Sequence, residues 1–89
     1  MIPEYMRPHH NLFQQFYESC DAIFGAYRAA DKDALHEALI WQSEVGDQIK
    51  GRVEGTPILE IEWEFAYGWY LWVLKEEFGL DYSGVPSTH

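Results

Sequence analysis

Ten consecutive residues, Phe65 to Leu74, carry no charge, and five of them are aromatic. Wound as a helix, this run presents apolar side chains in every direction. An ordinary surface helix keeps one polar face, whereas a helix apolar all round has to be covered on all sides. Only 89 residues are present to supply the cover, about the length at which one small domain folds alone and buries roughly 60–65% of its surface. The run therefore needs a crowded core or a second chain. At about half the length of a bilayer-spanning helix, it does not predict a membrane span.

Strong end signals bracket the run. Thr56-Pro57 reads as a helix start, because threonine caps and proline suits the first helical position, where its missing N–H has no partner. Gly79 followed by Leu80 reads as a Schellman ending, with Leu80 folding back onto Leu74. Together they predict a helix over 57–78. One pattern competes: Leu59, Ile61, Trp63 and Phe65 alternate with Glu60, Glu62 and Glu64, which is the period of a strand. Ile49, Gly51 and Val53 alternate likewise, so the alternative fold is α+β with a β-hairpin over 48–67. Glutamate favours helix over strand, and this decides for the helix.

Upstream, Phe13, Phe16, Cys20, Ile23, Tyr27 and Ala30 form a heptad-like stripe, widened by Leu12, Tyr17 and Phe24. This predicts a first helix over 11–30, with Asn11 as N-cap and Gln14 in a weak capping box. Pro3 and Pro8 mark residues 1–10 as an extended arm. Asp31 and Asp33 are good caps for a second helix over 33–50, whose inner positions are Leu35, Ala38, Leu39, Gln42, Val45 and Ile49. Gly46 marks a close contact or an early end of that helix, Gly51 to Gly55 reads as a linker, and 81–89 as a tail. The expectation is one all-α domain: a three-helix bundle in which a helical hairpin carries a long third helix, paired with a second copy to complete the core.

Fifteen acidic against six basic residues leave a formal charge of −9. Such a surface repels nucleic acid phosphates and anionic lipids and attracts basic protein. Neither direct nucleic acid binding nor membrane binding is expected. A single cysteine, Cys20, excludes an internal disulfide and suits a reducing compartment. Met1 to Pro8 contains no apolar core of a secretory signal, so the expected location is cytoplasmic.

Chemistry-bearing motifs are sparse. On a helix Glu60 and Glu64 share one side and Glu62 points elsewhere; solvated carboxylates complementing a helix dipole account for them. Glu44-Ser-Val-Asp47 has one spacing found in the helical nucleotide pyrophosphatases, but only half of their paired motif. His9 and His10 are adjacent, His36 lies beside acidic residues and His89 is terminal, so no zinc set forms. Cys20 lies within the first stripe and reads as a small hydrophobe. No Gly-rich phosphate loop, nucleophile elbow or EF-hand loop occurs. No catalytic residue, metal or cofactor is assigned.

Aromatic and acidic residues are the candidate interaction sites. The aromatic set is Trp41, Trp63, Tyr67, Trp69, Tyr70 and Trp72, since tryptophan and tyrosine are enriched in interface hot spots. The acidic set is Glu37, Glu44 and Asp47 on the second helix and Glu60, Glu62 and Glu64 on the third. In size and acidity alone the chain resembles several unrelated small inhibitors, such as bacterial immunity proteins and phage-encoded anti-defence or DNA-mimic proteins; none of their motifs occurs. The leading expectation is a non-enzymatic interaction module, a homodimer that inhibits a basic or nucleic-acid-binding partner and comes from a phage or mobile element. One alternative is a divalent-metal-dependent hydrolase of nucleotides using Glu44, Asp47, Glu60 and Glu64. Another is a small-ligand-binding protein with a pocket of Trp63, Tyr67 and Trp72.

Overall fold

A computed structural model describes residues 2–80. A short 3-10 helix, Glu4–His9, leads into α1 (His10–Ala29), followed by α2 (Lys32–Val53) and α3 (Pro57–Phe78). The described residues contain no strand. The protein is all-α, and the 48–67 hairpin does not form. Helix geometry accounts for the misleading alternation. Positions two apart fall on different sides of a helix and positions four apart on the same side. Leu59, buried, and Trp63, half-buried, thus turn inward, while Ile61 and Phe65 stand 51% and 72% exposed.

The α1–α2 hairpin is the foundation. α1 contributes Leu12, Phe13, Phe16, Cys20, Ile23 and Phe24 to the core, and α2 contributes Ala38, Val45, Ile49 and Val53. Leu59, Ala66, Tyr70, Val73 and Leu74 of α3 close it. Ser19, which the apolar stripe passes over, is fully buried because its hydroxyl donates to the Phe16 carbonyl at 2.7 Å. A buried hydroxyl is tolerated only with such a partner. Gly46 is buried beneath Trp63, whose ring carbon Cη2 would lie 3.6 Å from an added Cβ. It is a close contact inside α2, and the helix continues through it.

Element ends differ from expectation in four places. Residues 4–9 are helical where an extended arm is predicted. Proline restrains the chain locally, but tertiary anchors prevail: Tyr5 donates to Glu62 at 2.9 Å, Met6 packs on the core, and Arg52 reaches the Pro8 carbonyl at 3.5 Å. Asn11 consequently lies inside α1 and caps nothing, and Gln14 donates to Glu18 instead of completing a capping box. α2 continues past Lys50 to Val53, because Val53 extends the buried row of Val45 and Ile49 by one more turn. Thr56 makes no side-chain cap; its carbonyl accepts from the Leu59 and Glu60 amides. Asp31 does cap α2, accepting from the Ala34 amide at 3.1 Å. The Schellman ending of α3 forms as expected, with the Leu80 amide bonded to the Leu74 carbonyl at 3.1 Å. The proposed tail, 81–89, lies outside the described residues.

Candidate interaction surface

Two flanking helices cover only part of α3. Outward stand Ile58, Ile61, Phe65, Trp69 and Trp72, exposed by 46%, 51%, 72%, 37% and 59%. Ile58, Ile61, Phe65, Gly68 and Trp72 are spaced 3, 4, 3 and 4 residues apart, the seam of a helix that meets another helix. Aromatic side chains bury about 150–250 Å² each when covered, so these fractions leave on the order of 500 Å² uncovered. That matches the largest apolar patch of an ordinary monomer, which is often a functional surface. The α1 side supplies a rim. Tyr17, 41% exposed, meets Trp69 edge to face at 5.4 Å, and the Tyr5–Glu62 hydrogen bond lies beyond it.

The six aromatic candidates divide among different places. Tyr70 belongs to the core, stacked on Phe24 at 5.9 Å. Trp63 is half-buried, edge to face with Phe16 at 4.9 Å. Trp69 and Trp72 belong to the outward face. Tyr67 stands on the side of α3 that meets α2 and packs against Trp63 at 5.5 Å. Trp41 is exposed on α2, one turn from Glu37 and from Glu44, while Leu39, also exposed, lines a cleft with Tyr67 and Leu71 of α3. Missing from the candidates are Ile58, Ile61 and Phe65, the last being the most exposed member of the row. Their 3-4 spacing with Trp72 is the signal that marks them.

Trp63 and Tyr67 do line one cleft, of about 170 Å³, with Phe16, Gln42, Ser43, Gly46, Asp47 and Lys50. Trp72 is not part of it. A neighbouring groove is lined by Lys50, Val53, Glu54, Glu60, Trp63 and Glu64. Asp47, Glu60 and Glu64 therefore gather along one α2–α3 seam, with Lys50 lining both clefts. Glu37 and Glu44 are exposed on α2 and line neither. Glu62 turns to the opposite side, held by Tyr5. Among the described residues no group of three or more His, Cys, Asp or Glu is placed to hold a metal ion.

Cys20 is enclosed and accepts a hydrogen bond from Gln42 at 3.4 Å. Burial pushes its pKa up to about 12, so the thiol stays neutral at physiological pH and is a poor nucleophile. Burial likewise raises the Tyr70 phenol to about 12. Tyr5 is raised by its bond to the Glu62 carboxylate, which holds the phenolic proton. His9 and His10 are half-buried and His36 is exposed; His89 lies outside the described residues.

No helix among the described residues is long and apolar enough to cross a membrane. Compared with known proteins, the chain matches no family model, no curated protein and no solved structure.

Proposed function

We propose that this protein is a non-enzymatic interaction module that pairs with a second copy of itself through the outward face of α3. The observation that carries this reading is the uncovered row Ile58, Ile61, Phe65 and Trp72, with Trp69 beside it. The 3-4 spacing of that row is the seam a second helix covers, and a patch of that size is often a functional surface. The acidic face of α2, with Glu37, Glu44 and Asp47 exposed, stays free in such a pair. At −9 per chain, it favours a basic protein partner by long-range attraction. Inhibition of such a partner in a reducing compartment is the biological role this reading supports.

Multi-angle light scattering tests the pairing. A dimer has twice the 10.4 kDa chain mass, and Phe65→Glu is expected to restore the single-chain mass with its helix content intact. A wild-type protein that keeps the single-chain mass at about 100 μM, a concentration at which even weak specific pairs form, would remove the reading.

A further inference from the structure

Resting on the self-association just described, we infer that the two α3 helices run antiparallel, with Phe65 of each protomer seated over the partner's Gly68. Gly68 is the starting point. A glycine inside a helix costs about 1 kcal/mol relative to alanine, yet a Cβ added here meets nothing within 4 Å. The protomer thus gives no packing reason for a missing side chain, which holds equally for Gly25 and Gly51; what sets Gly68 apart is its place on the uncovered row. Gly68 lies on the outward row, three residues from its most exposed member, Phe65.

Antiparallel pairing about a two-fold axis between Ala66 and Tyr67 turns the row into matched layers. Phe65 meets the partner's Gly68, Ile61 meets the partner's Trp72, and Ile58 meets the partner's Lys75. In the central layer an exposed ring faces a missing side chain, as dense packing requires, and the flanking layers set side chains of unequal shape against each other. Parallel pairing sets Phe65 on Phe65 and leaves a void between two glycines.

Charge selects the same orientation. In parallel, Glu60, Glu62 and Glu64 of both copies crowd one end. Antiparallel pairing instead brings Lys75, which has no ion-pair partner among the described residues, to the glutamate-bearing end, and opposes the helix dipoles. Glu76 comes with it, Glu77 being held by its own Arg28, so each end carries three glutamates and a near-neutral pair in place of six glutamates. The area is also adequate for a second copy. On the order of 500 Å² of row, extended by the Tyr5 and Tyr17 rim, approaches the ~800 Å² that each partner buries in a standard interface.

Cysteine pairs read the orientation directly. Ile58→Cys and Lys75→Cys proteins are mixed with a short bis-maleimide linker; enclosed Cys20 stays out of the reaction. The mixture is expected to give a covalent heterodimer and neither variant alone a covalent homodimer, because antiparallel copies hold their residues 58 about 25 Å apart along the axis. Self-linking of Ile58→Cys overturns the antiparallel orientation. No linking in a protein of dimer mass overturns the register. A single-chain mass removes the pairing itself and leaves the face to residues 81–89 or to a different protein. In parallel, Gly68→Leu is expected to weaken association at least about tenfold without lowering the protomer's thermal midpoint; unchanged association overturns the Phe65–Gly68 layer.

Discussion

Ala30 ends α1 in the left-handed region at φ 53° while its amide bonds back to the last turn. A side chain with a Cβ is strained there, and glycine is not. Ala30→Gly is expected to stabilise the protein by about 1 kcal/mol, raising the thermal midpoint by a few degrees in a calorimeter. At Cys20 and Tyr70 the effect is one of pH. Both groups have pKa values raised by burial, the thiol from 9.0 to about 12 and the phenol from 10.0 to about 12. Between those limits the unfolded chain has released protons that the folded chain still holds, so stability falls as pH rises. Their contribution is complete below pH 9 and is lost by about pH 12, with a limiting slope near 1.4 kcal/mol per pH unit for each group. Urea midpoints measured from pH 8 to 11 are expected to be flat and then to decline. In Cys20→Ala the decline is expected to begin one unit later, at the phenol's unfolded value of 10.0.

Among the elements, α3 separates burial from exposure within a single turn. Leu74 is 1% exposed and Trp72 is 59% exposed. Leu74→Ala opens a cavity and is expected to cost about 2–5 kcal/mol, whereas Trp72→Ser is expected to change the protomer by no more than about 0.5 kcal/mol; equilibrium denaturation under monomeric conditions measures both. The three helices are legible in the sequence because stripes and caps agree: Phe13, Phe16, Cys20 and Ile23 mark α1, Asp31 caps α2, and Pro57 and Gly79 bracket α3. Less legible are the ends governed by tertiary contacts, namely the 3-10 helix held by Tyr5 and Arg52 and the last turn of α2 drawn in by Val53. The site is legible only in part, for a physical reason. Periodicity finds the buried face by contrast with a polar one, and the middle of α3 has no polar face to contrast. Tyr70 and Trp69 are therefore equivalent in sequence but opposite in the fold. The row through Phe65 emerges once the α1–α2 hairpin shows which side of α3 it covers.

At the scale of the whole molecule, charge and apolar surface act against each other in self-association. Each protomer has a formal charge of −9, which a pair doubles to −18. The attraction offered by each Lys75 is a local rim contact, worth about 0–1 kcal/mol. Repulsion between two such protomers extends over the whole surface, and salt screens it once the Debye length falls below the spacing of the charges. Apolar contact between the α3 rows is not weakened by ordinary salt. Self-association is accordingly expected to tighten several-fold between about 20 mM and 300 mM NaCl, where the Debye length shortens from roughly 20 Å to 6 Å. Capture of a basic partner by Glu37, Glu44 and Asp47 has the opposite dependence, because that attraction is itself screened. Sedimentation velocity across the same salt series distinguishes them in one experiment. A pair that loosens steadily with salt would be held by charge, and the apolar face of α3 would not be its interface.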